Sequence, residues 1–193
     1  MLQSLYDRLI ALSASPRAPY ALAVVAFAES SVFPLPPDLL LAPMALANPK
    51  RAWSFALICT VFSVLGGMLG YAIGALLYDT VGHWLIHFYG YGDRVAALKV
   101  AYARWGALII LVKGLTPIPY KLVTIVSGLL GYNFAWFVAL SIVTRGLRFF
   151  LVAGALNFFG DSLRGVMERH FAAFVAISVA FVVFGFVIAA RAL

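Results

Sequence analysis

The sequence predicts an all-α integral membrane fold: an inverted repeat of a re-entrant helical hairpin plus a transmembrane helix, with an additional C-terminal transmembrane helix. Three observations predict it. The first is composition. Of 193 residues, 64% are hydrophobic and 11% charged, against about 45–50% and 25% in soluble domains. The second is a pair of long uncharged runs, Ala52 to Tyr78 and Phe171 to Ala190, each reaching the roughly 20 apolar residues that span a bilayer core. The third is an internal echo. Pro34-Leu35-Pro36-Pro37-Asp38 returns 83 residues later as Pro117-Ile118-Pro119-Tyr120-Lys121. At the same offset Ala52-Trp53 meets Ala135-Trp136, Ala56-Leu57 meets Ala139-Leu140, and Gly82 meets Gly165. Recurrence at one ungapped offset marks two homologous halves.

Each element follows from its residues. In 1–16, Leu2, Leu5, Leu9 and Leu12 share a helical face with Asp7 and Arg8 off it, the pattern of an interfacial amphipathic helix. A cleaved signal peptide fits less well, because the basic region before Tyr20–Ala28 is long and carries an acid. Residues 17–50 hold two eleven-residue uncharged limbs flanking ESSVFPLPPD. Neither limb crosses about 30 Å of hydrocarbon at 1.5 Å per residue. Pro34, Pro36 and Pro37 break the helix between them, and broken backbone at membrane depth survives only where protein or trapped water covers it. The expectation is a re-entrant hairpin; the alternative is one kinked helix from Tyr20 to Ala47. Residues 52–78 form a transmembrane helix in which Gly66, Gly70 and Gly74 recur every four positions, a small-residue stripe that lets helices approach closely.

Residues 79–104 read as an interfacial connector. His83 and His87 sit at i, i+4 there, but a zinc pair needs further ligands, and Trp84, Tyr89 and Tyr91 read as an aromatic belt; no metal is expected. Residues 105–132 form the second hairpin around KGLTPIPYK, with Pro117 and Pro119 as breakers. Transmembrane helices follow at 134–159 and 171–190. If the first hairpin returns to its own side, 52–78 is the one crossing before the second, which must enter from the opposite face. Such repeats with broken segments meeting near the midplane are a transporter architecture. Arg8, Arg17, Lys50, Arg51, Arg164 and Arg169 then fall on one side, and Arg94, Lys99, Arg104 and Arg191 on the other, which orients the N-terminus toward the cytoplasm.

The charges inside these segments carry the functional expectation. Glu29 and Asp38 in the first tip face Lys113 and Lys121 in the second. Arg145 and Arg148, three residues apart near the middle of 134–159, share a face. A central arginine costs roughly 2.5–3.5 kcal/mol on insertion scales, so neither should face lipid. Two acids against four bases leave a positive surplus, and buried charge is tolerated only when paired or solvated. Phosphate is the natural complement, since guanidinium forks match its oxygens and lysine adds a point charge. The alternative is that the charges only staple helices. Glu29, flanked by Ala28 and Ser30, is the expected proton carrier, because a low-dielectric site favours the neutral carboxyl.

Other classes are excluded or unsupported. The fourteen Lys and Arg are scattered and make no basic face for nucleic acid. Cys59 has no partner for a disulfide. Ser30 and Ser31 beside Glu29 lack a histidine base, so no enzyme and no cofactor are expected.

The stretches ESSVFPLPPD, GGMLGYAIG and VKGLTPIPYKLVTIVSGLLG, followed by RGLRFF, resemble the DedA family of membrane proteins (the VTT or SNARE-associated domain), nearest its YqaA-like branch, over roughly Tyr20 to Gly160. The resemblance implies two facing re-entrant hairpins in a bacterial inner-membrane protein. It also implies transport or scrambling of lipid headgroups, such as undecaprenyl phosphate or phosphatidylethanolamine-type lipids, with proton coupling in some members. By motif position the family's acids fall on Glu29 and Asp38 and its bases on Lys113 and Lys121. Lysines here replace the usual arginines, the two acids stand closer together than is usual, and Pro37 stands where glycine is usual. The expected partners are therefore membrane lipids with anionic or zwitterionic headgroups, and protons. A homodimer is compatible with the glycine-lined helices. Two further readings stay open: a proton-coupled small-ion or solute transporter, and a lipid-binding or membrane assembly factor without a transport cycle.

Overall fold

A computed structural model describes residues 15, 17–31, 36–78, 80, 92–115 and 120–159, with the side chains of 92–95 and 113–115 left aside. The expected helices at 1–16 and 171–190, the residues Pro34, Pro117 and Pro119, and the His83/His87 pair lie outside the described residues. The described part is all helical: α1 (Ala18–Ser31), α2 (Asp38–Ala47), a 3-10 turn (Pro49–Arg51), α3 (Ala52–Leu77), α4 (Gly92–Leu115), α5 (Tyr120–Leu129) and α6 (Phe134–Phe159). Two of these are long and apolar enough to cross a membrane, the run Pro49–Leu77 and α6. At 1.5 Å per residue, the 26 residues of α3 and of α6 extend about 39 Å each.

Two helix lengths recur among the described residues. α2 and α5 are ten residues each, and α3 and α6 are 26 each. Each second copy starts 82 residues after the first, at 120 against 38 and at 134 against 52. The first limb of the second half departs from the sequence expectation. One continuous helix covers Gly92–Leu115, so the boundary between 104 and 105 falls inside it. Charge at Arg104 ends a hydrophobic run but not a helix; arginine is among the better helix formers.

Local chemistry sets the ends. Asn48 donates its backbone N–H to Met44 O at 3.0 Å as α2 ends, and Pro49 opens the short turn into α3. α5 closes in a Schellman motif: Gly131 N–H donates to Gly128 O at 3.0 Å and Tyr132 N–H to Ser127 O at 2.9 Å. Gly131 supplies the required positive φ of 67°. Asn133 then caps α6, its Oδ1 accepting from Trp136 N–H at 3.1 Å.

Helix directions follow from who meets whom. Trp53 stacks near Phe150 at 5.8 Å, Ser63 meets Arg145, and Tyr71 packs on Phe134 and Phe137 at 5.2 Å; α3 and α6 therefore run antiparallel. α1 runs alongside α3 in the same direction, with Gly66 against the Phe27 backbone and Gly70 against Ser30 O. α2 comes back, from Asp38 near Arg148 to Ala47 beside the start of α3. In the second half, Tyr102 bonds Ser127 at 2.8 Å while Ile110 clusters with Tyr120 and Val123. α4 and α5 thus form a second hairpin, opening at the other end of the α3–α6 pair. Gly67 and Gly70 face Thr124, and Gly74 faces the Ile125 backbone, so the glycine stripe of α3 seats both hairpins.

The packing is uneven. One large buried cluster joins α1, α2 and α3 with the last turns of α6, Leu22, Leu41, Met44, Phe55 and Phe149 among its members. The second half holds a smaller one around Ile110, Tyr120, Val123 and Phe137.

Candidate functional site

The end of α1 and the start of α5 meet about halfway along α3 and α6, and an ionic network occupies the meeting point. Arg145, 1% exposed, is the bulkiest fully buried side chain among the described residues. Its Nη2 donates to Glu29 Oε2 at 2.6 Å and its Nε to Ser63 Oγ at 2.6 Å. Ser30 Oγ donates to Glu29 Oε2 at 3.1 Å and lies 2.6 Å from Ser63 Oγ. The second hairpin completes the ring, with Tyr120 N–H 3.4 Å from Glu29 Oε1. The guanidinium lies between two aromatic rings, 4.9 Å from the centre of Tyr120 and 4.7 Å from that of Phe149. Such contacts are worth more when desolvated. Tyr120 is held in turn by Ser141, 2.5 Å from its hydroxyl, and Thr124 Oγ1 donates to Ser30 O at 3.2 Å across the tips.

A second pair lies beside the first. Arg148 Nη2 donates to Asp38 Oδ2 at 2.5 Å, with both side chains less than a fifth exposed. Asp38 opens α2, and its Oδ1 is the one buried side-chain polar atom without a hydrogen-bond partner among the described residues. The two pairs are therefore unlike. Glu29 uses both oxygens inside a closed network; Asp38 uses one and holds the other in reserve.

Most of the predicted site residues fall among the described ones. Glu29, Asp38, Arg145 and Arg148 converge, as the opposite signs required, but the acids' described ion pairs are with Arg145 and Arg148, where the sequence reading set Lys113 and Lys121 against them. The physical reason is depth. Arg145 and Arg148 stand one turn apart on α6, at the level the first tip reaches. Lys121 is half-buried one residue into α5, its carbonyl accepting from Thr124 Oγ1 at 2.8 Å. The Lys113 side chain lies outside the described residues, although its backbone belongs to α4. Pro36 and Pro37 precede α2 directly, with Pro37 buried. Gly66, Gly70 and Gly74 are buried against α1 and α5, so this stripe is occupied within the chain and offers no face to a second copy.

Sequence reading missed the polar seam around the ions: Ser30, Ser63, Tyr120, Thr124 and Ser141. The available signal was weak but present. Isolated serines inside apolar helices, such as Ser63 in TVFSVLGG and Ser141 in VALSIVT, are positions where a hydroxyl must find a partner. Among the described residues, no group of three or more potential ligands could hold a metal ion.

Fold and site together define a class: described residues that are all helical, with two helices long and apolar enough to cross a membrane and paired charges buried where α1, α3, α5 and α6 meet. The chain is 35% identical over 166 residues to an uncharacterized protein of Haemophilus influenzae, covering 86% of each. It is 32% identical over 149 residues to the uncharacterized protein HI0703 homolog of Histophilus somni, covering 77% of this chain and 78% of that one. It belongs to the family of these proteins. No family model matches the chain, and no solved structure matches it.

Proposed function

We propose that the protein is a multi-pass protein of the bacterial inner membrane that moves phosphate-bearing lipid headgroups across the bilayer. The observation that carries this reading is the meeting of two hairpins, from opposite ends of the antiparallel α3–α6 pair, around a buried arginine paired to an acid. In a bilayer spanned by α3 and α6 the two hairpins are re-entrant from opposite faces, and the helix ends beside their breaks, Ser30, Ser31 and Tyr120, are buried in protein, as lipid demands. The halves then form an inverted repeat of the kind transporters use to alternate access. The resemblance to the DedA family points the same way.

The unlike ion pairs supply a division of labour. Glu29–Arg145 latches the tips together. Asp38–Arg148 is the exchangeable pair: a headgroup phosphate displaces Asp38 from the Arg148 fork, and a proton on the displaced carboxyl keeps the local charge balanced. Asp38, with an oxygen already unpartnered, takes the proton-carrying role that the sequence reading gave to Glu29. Lys113 and Lys121, which flank the second break in the sequence, add positive charge to this half, and positive charge favours an anionic cargo.

Reconstitution into liposomes with fluorescently labelled phospholipids tests the reading. Lipid flipping by the wild type, lost in Arg148→Gln with folding retained, supports it. A second reading, proton-coupled transport of a small ion or solute, is favoured by the unpartnered Asp38 oxygen; it predicts ion flux without flipping. Neither activity in well-folded protein leaves the third, a lipid-binding or assembly factor.

A further inference from the structure

Away from the ionic network lies a cavity of about 380 Å³, between α4, the Schellman turn and the first turns of α6. That volume is within the range of small-molecule sites, about 300–1,000 Å³. Its polar end is built from Lys99, Tyr102, Tyr132 and Asn133; its apolar end from Ala107, Trp136 and Leu140. The lining contains one cation and no acid. Lys99 is held in place, its ammonium 3.8 Å from the centre of the Tyr78 ring at the end of α3. Tyr102 is turned inward, its hydroxyl on Ser127 and its ring edge-on to Tyr132 at 5.6 Å.

We infer that this cavity is a binding site for one anionic phospholipid, separate from the central ion pairs, with the headgroup phosphate at Lys99 and an acyl chain lying over Ala107, Leu140 and Trp136. The inference rests on the membrane embedding proposed above, but not on transport. With α3 and α6 spanning the bilayer, the cavity falls at the level where α6 begins. Aromatic rings and a snorkelling lysine are favoured at that depth, where headgroup and chain join. Charge complementarity selects an anionic headgroup, and the apolar end selects a lipid over free phosphate.

The test is native mass spectrometry of the delipidated full-length protein in neutral detergent, titrated with dioleoyl phosphatidylglycerol, dioleoyl phosphatidylcholine or sodium phosphate. The wild type retains one phosphatidylglycerol more tightly than phosphatidylcholine. Lys99→Gln weakens phosphatidylglycerol binding about fivefold, as expected for one basic residue at an anionic lipid surface, and Lys99→Arg restores it. Ala107→Leu, which fills the apolar end, weakens both lipids. Unchanged phosphatidylglycerol binding in Lys99→Gln and Ala107→Leu overturns the proposal, and so does displacement of the lipid by equimolar sodium phosphate. A flipping assay on the same preparations separates the two claims. Flipping with Lys99-independent binding sinks the cavity alone, whereas Lys99-dependent binding without flipping sinks the transport reading alone.

Discussion

Removing one member of the Glu29–Arg145 pair and then both distinguishes a coupled latch from two independently tolerated charges. Glu29 is 8% exposed and Arg145 1% exposed, so Glu29→Leu leaves a buried guanidinium holding only Ser63 and two aromatic faces. Breaking a buried pair from one side costs about 3–5 kcal/mol, whereas replacing both partners by apolar side chains is often neutral or stabilising. At about 2–4 °C per kcal/mol for a chain of this size, Glu29→Leu and Arg145→Leu should each lower the apparent Tm by about 6–20 °C. The double variant should recover most of that loss, because Ser30 and Ser63 can still bond one another. Thermal unfolding of the four proteins in one detergent, read as a double-mutant cycle, gives the coupling directly. Additive losses in the double variant refute the reasoning, since they mean the charges do not meet in the folded protein.

Glycine substitutions should divide by what their new Cβ meets. Gly74→Ala drives a methyl into the Ile125 backbone and should abolish the monodisperse peak in size-exclusion chromatography; Gly146→Ala, with only the Thr60 methyl at 3.7 Å, should be neutral or raise the Tm by a helix-propensity gain of up to about 1 kcal/mol. Gly131→Ala meets no atom but must hold φ at 67°, a strain of about 1–2 kcal/mol, seen as a modest loss of Tm. Asp38→Asn keeps the size of a side chain that is 16% exposed, so it should lower stability less than Glu29→Leu and, on the proposed transport reading, abolish lipid flipping in liposomes. Cys59 is fully buried on α3, and a small maleimide should label it only after denaturation, as intact-mass measurement reports.

Where the described helices begin was partly legible because proline punctuates them: Pro36 and Pro37 precede α2 and Pro49 precedes α3, whereas Arg104 does not interrupt α4. The pairing of charges was legible in sign and not in partner. Spacing along a helix shows that Arg145 and Arg148 share a face, but which acid they reach depends on how deeply the first tip descends beside α6. That depth is fixed by glycines of α3 meeting Phe27 and Ser30, contacts 39 and 40 positions apart in sequence. The serine seam escaped for a related reason. Each hydroxyl looks unremarkable in its own apolar run, and only assembly brings Ser30, Ser63 and Arg145 into one network. Lys99 read as a connector charge because the run ended at Arg104, while the helix that carries both continues past it.

Glu29 and Arg145 are 116 positions apart along the chain, which has a consequence for birth as well as for the finished molecule. At about 5–20 residues per second of synthesis, the acid waits roughly 6–23 s for the arginine that neutralises it. During that interval the first hairpin and α3 carry a carboxylate without its cation, and the glycine groove of α3 is still open on the side that α5 will fill. Until Arg145 emerges, the first half holds Glu29 without the cation that meets it in the folded chain, and a fragment that ends before residue 145 never gains that partner.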